Sequence, residues 1–471
     1  MLKKIFIVIV LLLIISSAGY VLVKAYPDFK APVLSNEKPI DVTLEFWGLW
    51  DNSDSWQGII NAFQNKNFTI NGRKINIRIN YTKKDYLTYE KDLLAAKGSG
   101  TSPDIFTISS NWLERYAPDL FPLEQNKAYI KEYELLTFEN ILDAFPQETI
   151  KSWVYSGQLY GIPTYSDSLA LYYNIELFDK AGIKNPPKTW KEFKDDVKKL
   201  TSTKNDNIIR SGVAIGSGKN VNRSSDILAL LMMQGGAKII DQEGNVDINK
   251  EIEVITTGGP EKRNPGLRAI IFYSEFSDPL KDIYTWNNTK PDSFEAFKDQ
   301  KVAMMFGYSY QISNLLAASP DLKYGISPMP QLEDSTPINI SSVWTPVVSK
   351  KESCGSMPKE LSDEIDCKKL AWSFLSFAAQ KENSKKYLDS TGKPAARNDL
   401  TGEQVNSNSK VGVFASQAQT VMTYNKFDER IDGILSNMMD MIELDRGNLE
   451  NIVNQAVEEI EALKTGSPNM N

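Results

Sequence analysis

The chain has 471 residues, with 53 Lys plus Arg against 60 Asp plus Glu, two cysteines, no histidine and a formal net charge of −7. Without an imidazole it cannot build a Ser-His-Asp or Cys-His nucleophile, a His-ligated zinc or a histidine pH switch, and two cysteines cannot supply a four-thiolate zinc cluster. Modest acidity without a basic stripe argues against nucleic acid as partner, and the length gives a prior of about two to three domains.

Lys3 and Lys4 precede a charge-free run, Ile5–Val23. As a helix it spans roughly 28 Å, about the hydrocarbon thickness of a bilayer. Ser16-Ser17-Ala18 offers a small-residue cleavage site, but Tyr20-Val21-Leu22-Val23 continues the apolar run past it, so an uncleaved anchor is preferred to a removed signal peptide. Both readings export the rest of the chain, because the two lysines hold residues 1–4 in the cytoplasm. Residues 24–40 contain three prolines and no sustained period, and read as a stalk.

From Asp41 the pattern alternates strand and helix. Val42–Trp47 reads as a strand, Trp56, Ile59, Ile60 and Phe63 as one helix face, Ile75–Tyr81 as a strand, 83–97 as a helix and 103–108 as a third strand. Such alternation predicts an α/β fold with parallel pairing. A second block repeats it: strand 169–173, a helix opened by the capping box Thr189-Trp190-Lys191-Glu192, strand 211–215, and a buried helix 227–233 closed by Gly235-Gly236. Strands at 301–306 and 324–326 complete this block. The last third is mostly helical, with apolar faces at Leu370 to Ala378, at Met438, Met439, Met441 and Ile442, and at Ile452 to Leu463. The tail 465–471 reads as unstructured.

Gly216-Ser217-Gly218-Lys219-Asn220 has neither the first glycine nor the hydroxyl residue of a phosphate loop, so it is a polar loop in which Asn222 and Arg223 are the more interesting neighbours. Cys354 and Cys367 are either a disulfide, contributing on the order of 3 kcal/mol, or two thiols; export favours the bond. Tryptophans are the informative class. Trp47 and Trp50 bracket the end of the first strand, Trp112 follows the third, and Trp286 and Trp344 lie in polar segments. Ligands of open α/β sheets bind beyond the carboxyl ends of strands, and an aromatic ring there packs on the C–H face of a sugar while polar neighbours bond its hydroxyls. Trp190 and Trp372, inside amphipathic helices, read as core.

Gly157-Gln158-Leu159-Tyr160-Gly161-Ile162-Pro163, Leu171-Tyr172-Tyr173-Asn174, Pro186 to Phe193, Phe294 to Met305 and Gly392 to Arg397 follow one another in an order and spacing similar to the family 1 extracellular solute-binding proteins, the group of maltose-binding protein and other sugar receptors of ABC importers. The resemblance covers about Asp41 to Leu463. It implies a two-lobed, type II-like periplasmic-binding-protein fold that closes on ligand by a hinge motion, here behind an N-terminal transmembrane anchor. One lobe would comprise 41–166 and 336–392, the other 167–335 and 393–471. It implies no cofactor, no metal and no catalysis, a monomer on the extracytoplasmic side of the cell membrane, a mono- or oligosaccharide ligand and an ABC permease as partner. Carried over by position, Asp167 is a cleft residue, Tyr308 and Tyr310 stack on ligand, and Trp344 is a cleft aromatic. Asn111, Asp167, Asn222 and Arg397, with Arg223 nearby, would provide hydrogen bonds. Ser109-Ser110-Asn111 stands where the family often has an acid, which leaves the ligand open. A polyamine, a peptide or a glycerol phosphodiester fits the same fold, and a two-carboxylate glycoside hydrolase is the enzymatic alternative. Without histidine, affinity should be flat across about pH 5 to 8 unless a shifted carboxylate such as Asp167 intervenes.

Overall fold

The structure, a computed structural model, describes residues 38–466 apart from 206, 242–243, 257–258, 352–364, 419 and 423–428. The expected anchor 5–23, most of the stalk and Cys354 lie outside the described residues. Among the described residues no helix is long and apolar enough to cross a membrane.

The strands are, in chain order, β1 (Ile40–Gly48), β2 (Phe68–Ile70), β3 (Arg73–Lys83), β4 (Ile105–Ser109), β5 (Val154–Tyr155), β6 (Gln158–Leu159), β7 (Asp167–Ser168) and β8 (Ala170–Asn174). They continue with β9 (Ser202–Lys204), β10 (Asn207–Val213), β11 (Ile252–Thr256), β12 (Gly259–Arg263), β13 (Val302–Gly307), β14 (Tyr324–Ser327), β15 (Asn339–Ser342), β16 (Trp344–Val348) and β17 (Val421–Met422). Two five-stranded sheets result, ordered β16-β4-β1-β3-β2 and β14-β8-β13-β10-β9. Helices cover each sheet, and each has its own core.

The apolar spacing places these elements well. β1 alternates buried Val42, Leu44 and Phe46 with partly exposed neighbours, and the helix Ser53–Gln64 buries Trp56, Ile59, Ile60 and Phe63. The Thr189 hydroxyl accepts from the Glu192 amide at 3.2 Å, while the Glu192 carboxylate returns to the Lys188 amide at 2.7 Å, so the helix Trp190–Leu200 starts where the capping pattern put it. In the segment 83–97, β3 runs on to Lys83 and Asp85 then caps the helix Tyr86–Gly98. Met441 faces solvent, while Met438, Met439 and Ile442 are buried. The phosphate-loop look-alike is closed from within: the Gly218 and Lys219 amides donate to the Asp440 carboxylate at 2.6 and 3.3 Å, and a Cβ on Gly218 would overlap the Ser436 carbonyl.

Parallel pairing holds for β1 with β3 and β4, and for β10 with β13. It fails for β16, antiparallel to β4, and for β8, antiparallel to both β13 and β14. These strands follow directly on passages between the lobes and so enter their sheets in the opposite sense.

The chain changes core between Tyr165 and Leu169, between Ile340 and Val343, and between Leu400 and Phe414. Beyond the expected boundaries at 335/336 and 392/393, Ile338 and Ile340 pack on the second core and Ala395, Ala396 and Leu400 on the first. The first two passages and the segments flanking the third are bonded to one another. β7 pairs antiparallel with β15, β15 parallel with β17, Tyr165 bridges Ala395, and the Ser166 amide donates to the Pro394 carbonyl.

Asp167 sits in this bundle, buried. Its carboxylate accepts from the Ser309 hydroxyl at 2.8 Å, from the Ser309 amide at 3.1 Å and from the Ser168 amide at 2.9 Å. Desolvation outweighs these bonds and pushes its pKa up to about 6. In the unfolded chain the group titrates near 4. The folded state therefore holds the extra proton between about pH 4 and 6, so stability from this site is fully present below pH 4, is lost as pH rises to 6 and is constant above, a span on the order of 3 kcal/mol. Melting curves of the wild type and Asp167→Asn at pH 4, 5, 6 and 7.5 should show the wild type losing ground to the variant only up to about pH 6; a constant difference would contradict the shift.

Candidate ligand cleft between the lobes

The carboxyl ends of β1, β3 and β4 and the start of β16 meet on one edge of the first sheet. β1 leads to Trp50, β3 to Tyr86 and β4 to Trp112, while Trp344 opens β16 opposite Ser109. Their rings assemble into one wall. Trp50 lies 5.0 Å from Tyr86 and 5.3 Å from Trp344, and Trp344 lies 5.9 Å from Tyr86 and 5.3 Å from Trp112, with the Trp344 contacts edge to face. Trp112 stacks at 5.7 Å on Tyr116. Edge-to-face and offset pairs of this kind contribute about 0.5 to 1.5 kcal/mol each and fix ring orientation. Trp50, at 42% exposure, Tyr86 and half-buried Trp344 present surface; Trp112 is buried behind them. Trp47, one residue before the end of β1, is half-buried, with the Lys84 ammonium 3.7 Å from its ring centre. Asn111 stands half-buried on the 3-10 turn Ser110–Trp112.

The second lobe offers a different wall. β13 ends at Gly307 beside Ala170 of β8, which brings Tyr308 to Tyr310 next to Asp167. Tyr308 is buried, its hydroxyl donating to Asp226 at 2.9 Å and its carbonyl accepting from the Tyr172 hydroxyl at 2.7 Å. Its ring supports that of Tyr310, 6.5 Å away and nearly parallel; Tyr310 is 47% exposed. Arg223, in the left-handed region at φ 62°, precedes the helix Ser224–Gly235 and places its guanidinium 5.2 Å from the Tyr308 ring. That guanidinium is bonded to Asp226, Nε to Oδ2 at 2.6 Å, so its charge is compensated inside the protein. Asn222 is half-buried; its amide N–H donates to Ser293 and its side chain lies 3.4 Å from Asp292.

Where the passages meet the first lobe, the Lys393 ammonium bonds Asp51 at 2.6 Å and the Tyr387 hydroxyl at 3.0 Å, and lies 4.1 Å from the Tyr165 ring centre. Tyr387 also donates to Asp51 at 2.7 Å. Burial lowers the Lys393 pKa, and Asp51 opposes that shift.

Two expected contacts are not part of either wall. Trp286 is 1% exposed, and its indole donates to Asn220 at 3.2 Å inside the second core. The segment 284–288 folds back under the 216–220 loop, with the Trp286 amide on the Phe276 carbonyl, and so reads as core rather than cleft. Arg397 is engaged by Asp399 through two bonds of 3.0 and 2.9 Å, by the Ala379 carbonyl at 2.9 Å and by the Phe145 ring, which makes it a packing brace of the first lobe. Sequence reading missed Tyr86, Asp51, Lys393, Tyr387, Asp226 and Glu429. Tyr86 obeys the same rule that found Trp50 and Trp112, an aromatic just past a strand, but was absorbed into a helix face; the charged residues meet only through tertiary contacts.

The fold has solved counterparts. The cyclic alpha-maltosyl-1,6-maltose binding protein from Arthrobacter globiformis matches with a TM-score of 0.68 and 16% identity over 91% of this chain and 100% of its own. UgpB from Mycobacterium tuberculosis, solved in complex with glycerophosphocholine, matches with a TM-score of 0.65 and 16% identity over 91% of this chain and 99% of its own. In sequence, a Brucella abortus (strain 2308) protein named as a binding protein is 24% identical over 370 residues, 78% of this chain and 80% of the relative. With residues 30–385 matching the family profile, the chain belongs to the bacterial extracellular solute-binding proteins.

Proposed function

We propose that the chain captures a carbohydrate between its lobes and delivers it to an ABC transporter, without covalent chemistry. The observation that carries this reading is a partly exposed aromatic surface on each lobe, Trp50, Tyr86 and Trp344 on one and Tyr310 on the other. Partly exposed rings held rigid by their neighbours suit the C–H faces of pyranoses. The Arthrobacter counterpart, whose name records a maltosyl-maltose ligand, supports the same class.

The glycerophosphocholine complex of UgpB favours a second reading, a glycerol phosphodiester. Against it, the guanidinium over the Tyr308 ring, that of Arg223, is already paired with Asp226. A sugar needs no such charge.

The lobes comprise, in this proposal, residues 41–166 with 342–400, and 167–341 with 413–466. Residues 5–23 tether them to the outer face of the cytoplasmic membrane, and Cys354 pairs with Cys367. Cys367 is buried at the start of the helix Cys367–Ala378.

Thermal-shift screening of the chain against oligosaccharides, polyamines and glycerophosphodiesters should give a rise in melting temperature with a carbohydrate alone, growing with ln(1 + [L]/Kd); stabilisation by a phosphodiester instead would replace the proposal by the second reading. Calorimetry with the carbohydrate so found should show Tyr310→Ala and Trp344→Ala each weakening binding by about 1 to 3 kcal/mol; unchanged affinity in both would remove the aromatic account. Peptide mapping without reductant should recover Cys354 and Cys367 in one linked species, and free thiols at both positions would reject the bond.

A further inference from the structure

Away from the three passages, the lobes touch through a defined side-chain bond. The Trp112 indole N–H donates to Oε1 of Glu429 at 3.0 Å. Trp112 belongs to the first lobe's aromatic wall. Glu429 directly precedes the helix Arg430–Leu444, whose Ile431, Leu435, Met438, Met439 and Ile442 are buried in the second lobe's core.

Neither partner can follow the other far. The Trp112 ring is stacked on Tyr116, lies 6.4 Å from Tyr89, meets Trp344 edge to face and has the Arg115 guanidinium 5.3 Å from its centre. Glu429 directly adjoins a helix whose apolar face is buried in the second core. The donor–acceptor distance is therefore set by the angle between the lobes, and a bond that weakens steeply once stretched makes it sensitive to small hinge rotations.

We infer that Glu429 is a positioning residue, and that its bond to Trp112 biases the empty cleft toward closure and holds the wall behind Trp344 in its binding orientation. The inference rests on the proposed capture of ligand between the lobes only for its effect on affinity. A hydrogen bond to a charged group, made in the closed state and lost in the open one, shifts that equilibrium by about tenfold. Apparent affinity falls in proportion to the closed fraction, so losing the bond weakens ligand binding by up to about that factor.

Trp112→Phe removes the donor and keeps a ring; Glu429→Ala removes the acceptor. Hydrogen-exchange mass spectrometry of the full chain in detergent, without ligand, should show faster exchange in both variants at 105–116 and at 302–315, on opposite lobes, with the double variant no faster than either single one. With the carbohydrate identified by screening, each single variant should bind about tenfold more weakly and the double variant about tenfold as well. Ligand-free exchange unchanged in both variants, or roughly multiplicative losses of affinity in the double variant, would overturn the inference. Should no carbohydrate bind the wild type, the proposed function fails, while the ligand-free exchange still decides whether the bond couples the lobes.

Discussion

The first two passages of chain between the lobes, and the segments on either side of the third, are hydrogen-bonded to one another, and the rest of the molecule is arranged around that constraint. β7 against β15, β15 against β17 and the Tyr165–Ala395 bridge make one small assembly out of segments more than 150 residues apart in places. Joined side by side, they form a common seam between the lobes. The seam also sets what faces the cleft. Asp167 ties the first passage to Ser309, beside the Tyr308–Tyr310 wall, and Lys393, on the first-lobe segment that pairs with the first passage, is tied to Asp51, at the loop carrying Trp50. Each wall is thus braced directly on the hinge.

In the proposed function the two walls divide the work of binding. The first is a set of rings ordered before ligand arrives, so little side-chain entropy remains to be lost on binding. The second presents a single exposed ring, Tyr310, over polar groups that have already satisfied one another: Tyr308 and Arg223 on Asp226, Ser309 on Asp167. Internal pairing of this sort leaves a neutral, hydroxyl-rich ligand as the natural complement, since an anion or a polyamine would need an uncompensated partner charge. Burial pushes the Asp167 pKa up to about 6, so in a chain without histidine the group placed to respond to mild acid lies in the seam rather than on a ring.

Much of this was legible in the sequence because it depends on local pattern. The strands 42–47 and 75–81, the Thr189 cap and the helices of the last third follow from alternation and helical spacing. The rule that aromatics past strand ends lie at a ligand edge pointed to Trp50 and Trp112, and a polar flank to Trp344; the structure brings these three rings together. The polar flank of Trp286, Asn287 and Asn288, suggested exposure, but Asn220 satisfies the indole inside the core. Antiparallel β8 and β16 were not legible, since strand sense depends on which lobe the chain has just left. Lys393 with Asp51 and Trp112 with Glu429 lie 342 and 317 residues apart, and no short-range signal marks such pairs.

Capture of a carbohydrate on aromatic faces across the cleft is the central claim, and saturation-transfer NMR tests it most directly. Selective irradiation of the protein's aromatic protons, with a bound oligosaccharide, should transfer most strongly to the C–H protons on one face of a pyranose ring and lose that pattern in Trp344→Ala. Uniform transfer around the ring, or a pattern unchanged by the substitution, would contradict the account.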